Sequence, residues 1–435
     1  MQNKGQLLQK FRGQFERYFS SHTTSKYLLR TYFVYVFVAL LMILTKVAIA
    51  RFYGQEELGV YSYFFALGSF LFLWTSFEFP EALTQLIVKG KHSLRQVVTL
   101  SSQLILLTTV IVLSLLYFVD RFVYSLFADY PLLFLAFVLF VATYTIYYQL
   151  YSVLRGEKQF AKSSAFTLVW RSLFIIGIVL FSLFGVPFSR VLLFLSFCIL
   201  VASVTMLPSF WKLWEENVAK SSTLQNILSH SALWKLAFAL FLVQVGFYSL
   251  RTIDLYVLER LLSFAEVGYY SAYASFTNVI RMLAYVFPVV VLPMAAVSSY
   301  KIRKSLSRLL MLLLPFAALV LGATVFLVPL VYGTSYSGGF WLAFSLVVSS
   351  SLLLIYSYAS SIFAGENDVS GKYFWVLGID FLLSLVGNVV LNYYLILRLG
   401  IIGAPIATGI VVLVKIVFLL GSIKWLRAGK PLRKK

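Results

Sequence analysis

Runs of about 20 mostly apolar residues recur from one end of this sequence to the other, and no other feature limits the fold as much. A helix rises about 1.5 Å per residue, so each run can cross a hydrocarbon core of about 30 Å. Within lipid every backbone N–H and C=O must be satisfied by the chain itself, which leaves helices and closed barrels as spanning structures. The runs are continuous and do not alternate, so they predict helices. Of the 435 residues only 12% are charged and 61% are hydrophobic, which excludes a soluble enzyme and a disordered chain. The single cysteine, Cys198, lies in an apolar run, so a disulfide scaffold is excluded too.

Twelve spans are expected, at 28–50, 59–79, 97–119, 131–153, 164–184, 191–211, 233–257, 268–297, 309–332, 340–363, 373–397 and 403–423. The loops are short, so neighbouring helices run antiparallel and no room is left for an extramembrane domain. Residues 1–27 are polar and basic without a cleavable signal pattern, so the first run is kept as a span. Within them, Leu8, Phe11, Phe15 and Tyr18 stand at helical spacing beside Lys10, Arg12 and Arg17, as in a helix lying in the membrane interface.

The net charge of +20 would suggest nucleic acid in a soluble chain. In a membrane chain it marks the cytoplasmic side instead, because cationic loops stay inside. With the N-terminus inside, the inside segments hold 25 Lys and Arg and the outside loops hold five: Arg51, Arg121, Arg190, Arg260 and Arg398. Both termini are therefore expected in the cytoplasm, on a multi-pass chain in the cell membrane, with the bilayer and no nucleic acid as partner.

An internal repeat divides the chain. Residues 51–62 read RFYGQEELGVYS and residues 260–271 read RLLSFAEVGYYS, with Arg51/Arg260, Glu57/Glu266, Gly59/Gly268, Tyr61/Tyr270 and Ser62/Ser271 identical. Each copy follows the first span of a six-span half. The expected organisation is a six-helix bundle at 28–211, a cytoplasmic linker at 212–232, a second bundle at 233–423 and a basic tail at 424–435, the halves related by an axis along the membrane normal.

Six cations fall within the spans: Arg30, Lys46, Arg171, Arg251, Arg281 and Lys415. At a helix centre each costs about 2.5–3.5 kcal/mol on insertion scales. Arg30 is near enough to an end to snorkel. Arg281 and Lys415 lie near mid-span and are expected to face a hydrated interior, with Arg171, Lys46 and Arg251 completing a cationic cavity. Two acids lie well inside spans. Asp254 is three residues from Arg251 and can pair with it along one helix face. Asp380 has no local partner. Both are candidates for ion coupling, and Glu78 stands at the inner end of the second span. More buried cations than acids suits an anionic cargo, whose phosphate groups Arg holds through paired donors and Lys as a point charge. Gln103, Gln149, Gln244, Asn278, Asn388 and Asn392 are either helix bridges or sugar ligands.

Segment 387–408, GNVVLNYYLILRLGIIGAPIAT, together with the turn at 48–62, its copy at 260–271, Pro288 and Pro293, and VPLVYG at 328–333, resembles the multidrug/oligosaccharidyl-lipid/polysaccharide exporter superfamily. Twelve spans and a basic inside face are most similar to its polysaccharide transporter branch, the Wzx-type O-antigen and capsule flippases. The resemblance implies a V-shaped pair of bundles around a central cavity. It also implies passage of an undecaprenyl-diphosphate-linked oligosaccharide from the inner to the outer leaflet, in concert with a polymerase and assembly proteins.

A drug/cation antiporter of the same superfamily would share the fold, but a net-positive interior suits a cationic cargo poorly. A membrane polysaccharide polymerase or ligase needs acid/base residues on the outer face. The outside loops are too short for a catalytic loop, and His22, His92 and His230 all fall in inside segments. No HExxH motif occurs, and Gly365–Lys372 lacks phosphate-loop spacing, so neither a metal nor another cofactor is expected.

Overall fold

The computed structural model describes residues 22–89, 94–123, 131–157, 159–220, 230–284, 302–366 and 371–428. The expectations for the interfacial helix at 5–19, for Pro288 and Pro293, for 221–229 of the linker and for 429–435 of the tail lie outside these residues. Among the described residues the chain is all helix and turn, with no strand.

Fourteen α-helices follow in order among the described residues: α1 His22–Phe52, α2 Gln55–Ser76, α3 Phe79–Lys89, α4 Leu94–Phe118, α5 Pro131–Gly156, α6 Phe160–Leu183, α7 Phe188–Lys220, α8 His230–Leu261, α9 Phe264–Ala284, α10 Ile302–Tyr332, α11 Phe340–Glu366, α12 Gly371–Leu382, α13 Asn388–Leu399 and α14 Gly403–Ala428. Among the described residues nine segments are long and apolar enough to cross a membrane, so this is a multi-pass membrane protein. One of the nine, Gly378–Ser422, contains α13, the turn after it and most of α14. The predicted span 268–297 runs past the end of α9 into residues that are not described. The close neighbours are α5 with α7, α1 with α6, α11 with α14 and α9 with α11. Helices α1, α2 and α3 in turn meet α8, α9 and α10.

Local chemistry sets several boundaries. Gly54, at φ 121°, lets the chain leave α1 and start α2 at once. Glu56 and Glu57 then sit in the first turn of α2, where carboxylates offset the helix dipole. Helix α9 begins with a capping box: Ser263 N–H donates to Glu266 Oε2 at 3.1 Å, and Glu266 N–H donates to Ser263 Oγ at 3.3 Å. Pro405 stands in the first turn of α14, where its missing N–H costs nothing. Pro208, Pro315 and Pro329 do lie inside helices.

The second span differs from expectation. Helix α2 stops at Ser76, three residues before the predicted end. Phe77 (φ 46°) and Glu78 (φ 56°) both take the left-handed conformation, and α3 restarts at Phe79. Each such non-glycine residue costs about 1–3 kcal/mol and persists only where its surroundings hold it. Here the holding contact is aromatic: the Phe77 ring stacks on Phe241 of α8, with centroids 4.4 Å apart and planes at 15°. Phe79 and Trp234 meet edge-on at 5.0 Å.

Candidate functional site

The repeat found in the sequence meets itself in space. A Cβ built on Gly59 of α2 would lie 1.8 Å from Phe264 O and 3.0 Å from Gly268 N. One built on Gly268 of α9 would lie 2.0 Å from Gln55 O and 3.0 Å from Gly59 N. The two helix starts therefore cross backbone to backbone, each glycine opening the space for the other. Gln55 donates its amide to Ala265 O at 2.9 Å across the same crossing. Arg51 at the end of α1 donates to Val331 O at 2.7 Å and to Leu330 O at 2.9 Å at the end of α10. These contacts close one end of the molecule. At the other end α2 and α3 reach α8 through an aromatic seam of Trp74, Phe77, Phe79, Trp234 and Phe241.

Cationic groups lie between the two seals. Arg171 of α6 is 8% exposed, and its guanidinium is 4.3 Å from the Trp170 ring centre. Arg171 Nε has no hydrogen-bond partner. Arg281 of α9 is 6% exposed; Nε donates to Ser350 Oγ at 3.0 Å, while Nη2 is unpartnered. Lys46 of α1 reaches Ser271 O on α9 at 3.5 Å, where a helix from the first predicted half meets one from the second. Arg251 lies on α8, close enough to Lys46 for the two charges to repel. Among the described residues neither Arg171 nor Arg281 forms a salt bridge.

Asp254 heads a second cluster. It is fully buried, and it accepts Tyr270 O–H at 2.5 Å on Oδ2 and Thr408 O–H at 3.2 Å on Oδ1. These two hydroxyls surround the carboxylate, and the Arg281 guanidinium is near enough to act on it. Thr408 Oγ1 also lies 3.3 Å from Asn388 Oδ1, to which Asn392 donates at 2.9 Å. Asn388 in turn donates to Ser249 O at 3.1 Å. Asn392 Oδ1 has no partner. Oxygens from α8, α13 and α14 thus converge on one buried point, with the phenol of α9 beside it.

Lys415 is placed differently from the sequence expectation. It is 1% exposed. Its ammonium is 3.2 Å from Asp380 Oδ2 and 4.3 Å from the centre of the Tyr356 ring. Asp380, which has no local partner along the sequence, meets this cation from a distant span and also accepts Tyr356 O–H at 2.6 Å. Ser384 completes the set by accepting from Lys415. It belongs to a π-helical turn, Leu383–Gly387, between α12 and α13. Such a turn adds a residue within the helix and re-aims side chains. A buried ion pair of this kind neutralises both members, so Lys415 has no charge to spare for cargo.

Residues 26–299 match the family described as polysaccharide biosynthesis protein. The chain belongs to this family. No curated protein compared with it matches. Among solved structures, this chain is similar to the lipid II flippase MurJ in an inward closed conformation, with TM-score 0.69 and 18% identity over 91% of this chain and 87% of that one. It is similar to a multidrug resistance MATE family transporter of the MOP superfamily in an inward-facing conformation, with TM-score 0.67 and 14% identity over 91% and 96%. It is also similar to the Vibrio cholerae MATE transporter VcmN in a bent form, with TM-score 0.57 and 14% identity over 92% and 97%. Its fold is that of this exporter superfamily, as segments 48–62 and 387–408 led us to expect.

Several residues of the site carry no sequence signal of their own. Thr408 and Tyr270 were visible only within motifs, and nothing local marks them as partners of Asp254. Asn388 and Asn392 stood out as polar residues four apart on a span, which was the available signal. Gln149 proves to be a helix bridge, donating to Ser101 Oγ at 2.8 Å.

Proposed function

We propose that this protein is a flippase. In this reading it moves an undecaprenyl-diphosphate-linked oligosaccharide from the inner to the outer leaflet of the cytoplasmic membrane, for O-antigen or capsule synthesis. Twelve transmembrane helices form two six-helix halves, 28–211 and 233–423, with both termini in the cytoplasm. The diphosphate enters between the halves while the lipid tail stays in the bilayer, and the halves rock to exchange the open side. A polymerase and assembly proteins then receive the product.

The observation that carries this reading is the pair of deeply buried guanidiniums, Arg171 and Arg281, with no salt bridge among the described residues and with nitrogens left unpartnered. Arg171 has tyrosines around it, and Arg281 lies within electrostatic reach of Asp254 and beside the Tyr270 hydroxyl; a buried cation without a carboxylate in direct contact is costly. An anionic visitor relieves that cost, and a guanidinium fits phosphate through paired donors. Lys46 and Arg251 extend the same positive region. Lys415 is left out of it, because Asp380 already holds its charge.

Coupling falls to Asp254. Its carboxylate with the oxygens of Thr408, Asn388 and Asn392 suits a proton or a monovalent cation taken up in exchange for cargo. Asp380 with Lys415 is a second candidate for proton exchange. The same buried acid also favours the drug/cation antiporter as the second reading, and the cationic centre weighs against it.

The deciding measurement is leaflet-resolved accumulation of lipid-linked repeat units in cells lacking this chain. Wild type should restore outer-leaflet delivery, and Arg281→Ala should not. Normal export by Arg281→Ala would refute the cationic path. Unpolymerised repeats gathering on the outer leaflet of deleted cells would indicate a polymerase instead.

A further inference from the structure

Asp380, Ser384, Asn388 and Asn392 follow one another at intervals of four, and the last three are fully buried. An α-helix turns about 100° per residue, so each step of four overshoots a full turn by about 40° and three steps by about 120°. On a regular helix Asn392 would be carried well off the face that holds Asp380. The π turn Leu383–Gly387 lies between them and takes in one extra residue, which returns about 100° of that rotation. The four side chains therefore keep to one face.

The contacts agree with this phase. Lys415 of α14 meets both Asp380 and Ser384, and Thr408 of the same helix lies 3.3 Å from Asn388 Oδ1. Lys415 and Thr408 are two turns apart, on one face of α14. On α8, Ser249 O accepts from Asn388, and a Cβ built on Gly246 would touch Ser384 Oγ at 3.6 Å. A π turn is rare, and side chains hold this one. Ser384, inside the turn, accepts from Lys415 and donates to Asp380 O at 2.8 Å. Asp380, one turn earlier, holds the same ammonium at 3.2 Å. Lys415 thus ties the turn to the helix that precedes it. Asn388, the first residue after the turn, opens the cluster around Asp254, and Asn392 Oδ1 is left there without a hydrogen-bond partner.

From this geometry we infer that Lys415, Asp380 and Ser384 are positioning residues for the coupling site. By holding the π turn they set the rotation of α13, and so bring Asn388 and Asn392 to the place where Asp254 and Thr408 meet. The inference rests on the reading of Asp254 as the coupling group, and it gives the Lys415–Asp380 pair a part other than proton exchange.

The test follows delivery of lipid-linked oligosaccharide by the full-length protein in proteoliposomes, over a sodium series with choline holding the ionic strength and over a pH series. Wild type should respond to one of the two ions, and Asp254→Asn should lose that response. Ser384→Ala keeps the ion pair but releases the turn. It should raise the half-saturating concentration of the ion about 10- to 100-fold, the effect of losing a group that orients a ligand. Lys415→Met with Asp380→Leu should do the same while melting near the wild-type temperature, because packed apolar groups replace a buried pair without loss. A pair with only a structural role would leave the ion response of that double variant unchanged. Val386→Ala, on the exposed side of the same turn, should not alter the response. A wild-type half-saturation in Ser384→Ala or in the double variant, or an equal rise in Val386→Ala, overturns the positioning role; with the response lost in Asp254→Asn, the coupling reading stands. A response absent from wild type, or surviving in Asp254→Asn, overturns both.

Discussion

Replacing Gly59 with Ala should drive apart the end of the molecule that α2 and α9 close. The added Cβ would stand 1.8 Å from Phe264 O and 2.7 Å from Phe264 C. Carbon and carbonyl oxygen approach no closer than about 3.3 Å even in favourable C–H···O contacts. The helices must therefore part by about 1.5 Å, because both obstructing atoms are backbone and cannot rotate aside. That shift breaks the 2.9 Å bond from Gln55 to Ala265 O, for about 1 kcal/mol. Overpacking adds about 1–3 kcal/mol. The sum, about 2–4 kcal/mol, is a factor of about 30–900 at about 1.4 kcal/mol per decade. A closed state favoured at about 99:1 would fall to near balance or below, since complete reversal takes about 5.5 kcal/mol. Helix weakening is not the cause, because Ala is the better helix former by about 1 kcal/mol. Distances between spin labels at Glu56 and Ser337, both exposed, read the result directly. Gly268→Ala should act alike, and the double variant should add less than the two singles, because both obstruct one contact. An unchanged distance distribution in Gly59→Ala would refute the idea that this crossing is a seal.

The remaining expectations concern the buried charges. Arg171→Ala should lower outer-leaflet delivery about 10- to 150-fold, the value of a charge-assisted hydrogen bond of about 1.5–3 kcal/mol, with membrane insertion unchanged; Arg171→Lys should retain part of it. Asp254→Asn should abolish any dependence of transport on the pH or sodium gradient, measured in proteoliposomes, while leaving binding of lipid-linked diphosphate in place. Lys415→Met should cost about 3–5 kcal/mol of stability by stranding Asp380, seen as a lower melting temperature in detergent. Lys415→Met with Asp380→Leu should recover most of that loss, as an ion pair replaced by packed apolar groups does.

Helix positions were readable because hydropathy is a property of consecutive residues. Each predicted span falls at least partly on a helix, and the superfamily motifs at 48–62 and 387–408 pointed to the fold found. The copies at 51–62 and 260–271 were legible as a repeat, but not as partners. Contact between Gly59 and Gly268 depends on two helices more than 200 residues apart crossing at their first turns. The charges were less legible still. Lys415 and Arg281 looked alike as mid-span cations, yet one is tied to Asp380 and the other has a nitrogen left over. Glu78 looked like the end of a span, whereas α2 ends before it and it takes part in a left-handed break.

By itself the sequence determined a helical membrane protein rich in buried cations, with two related stretches each opening a helix, because length, apolarity and identity are read along one dimension. Tertiary structure alone decided which charges are spent on one another and which stay available. That choice depends on how each helix is rotated and which helix lies beside it, and a difference of a few ångströms separates an ion pair from a solitary charge in a medium that screens neither.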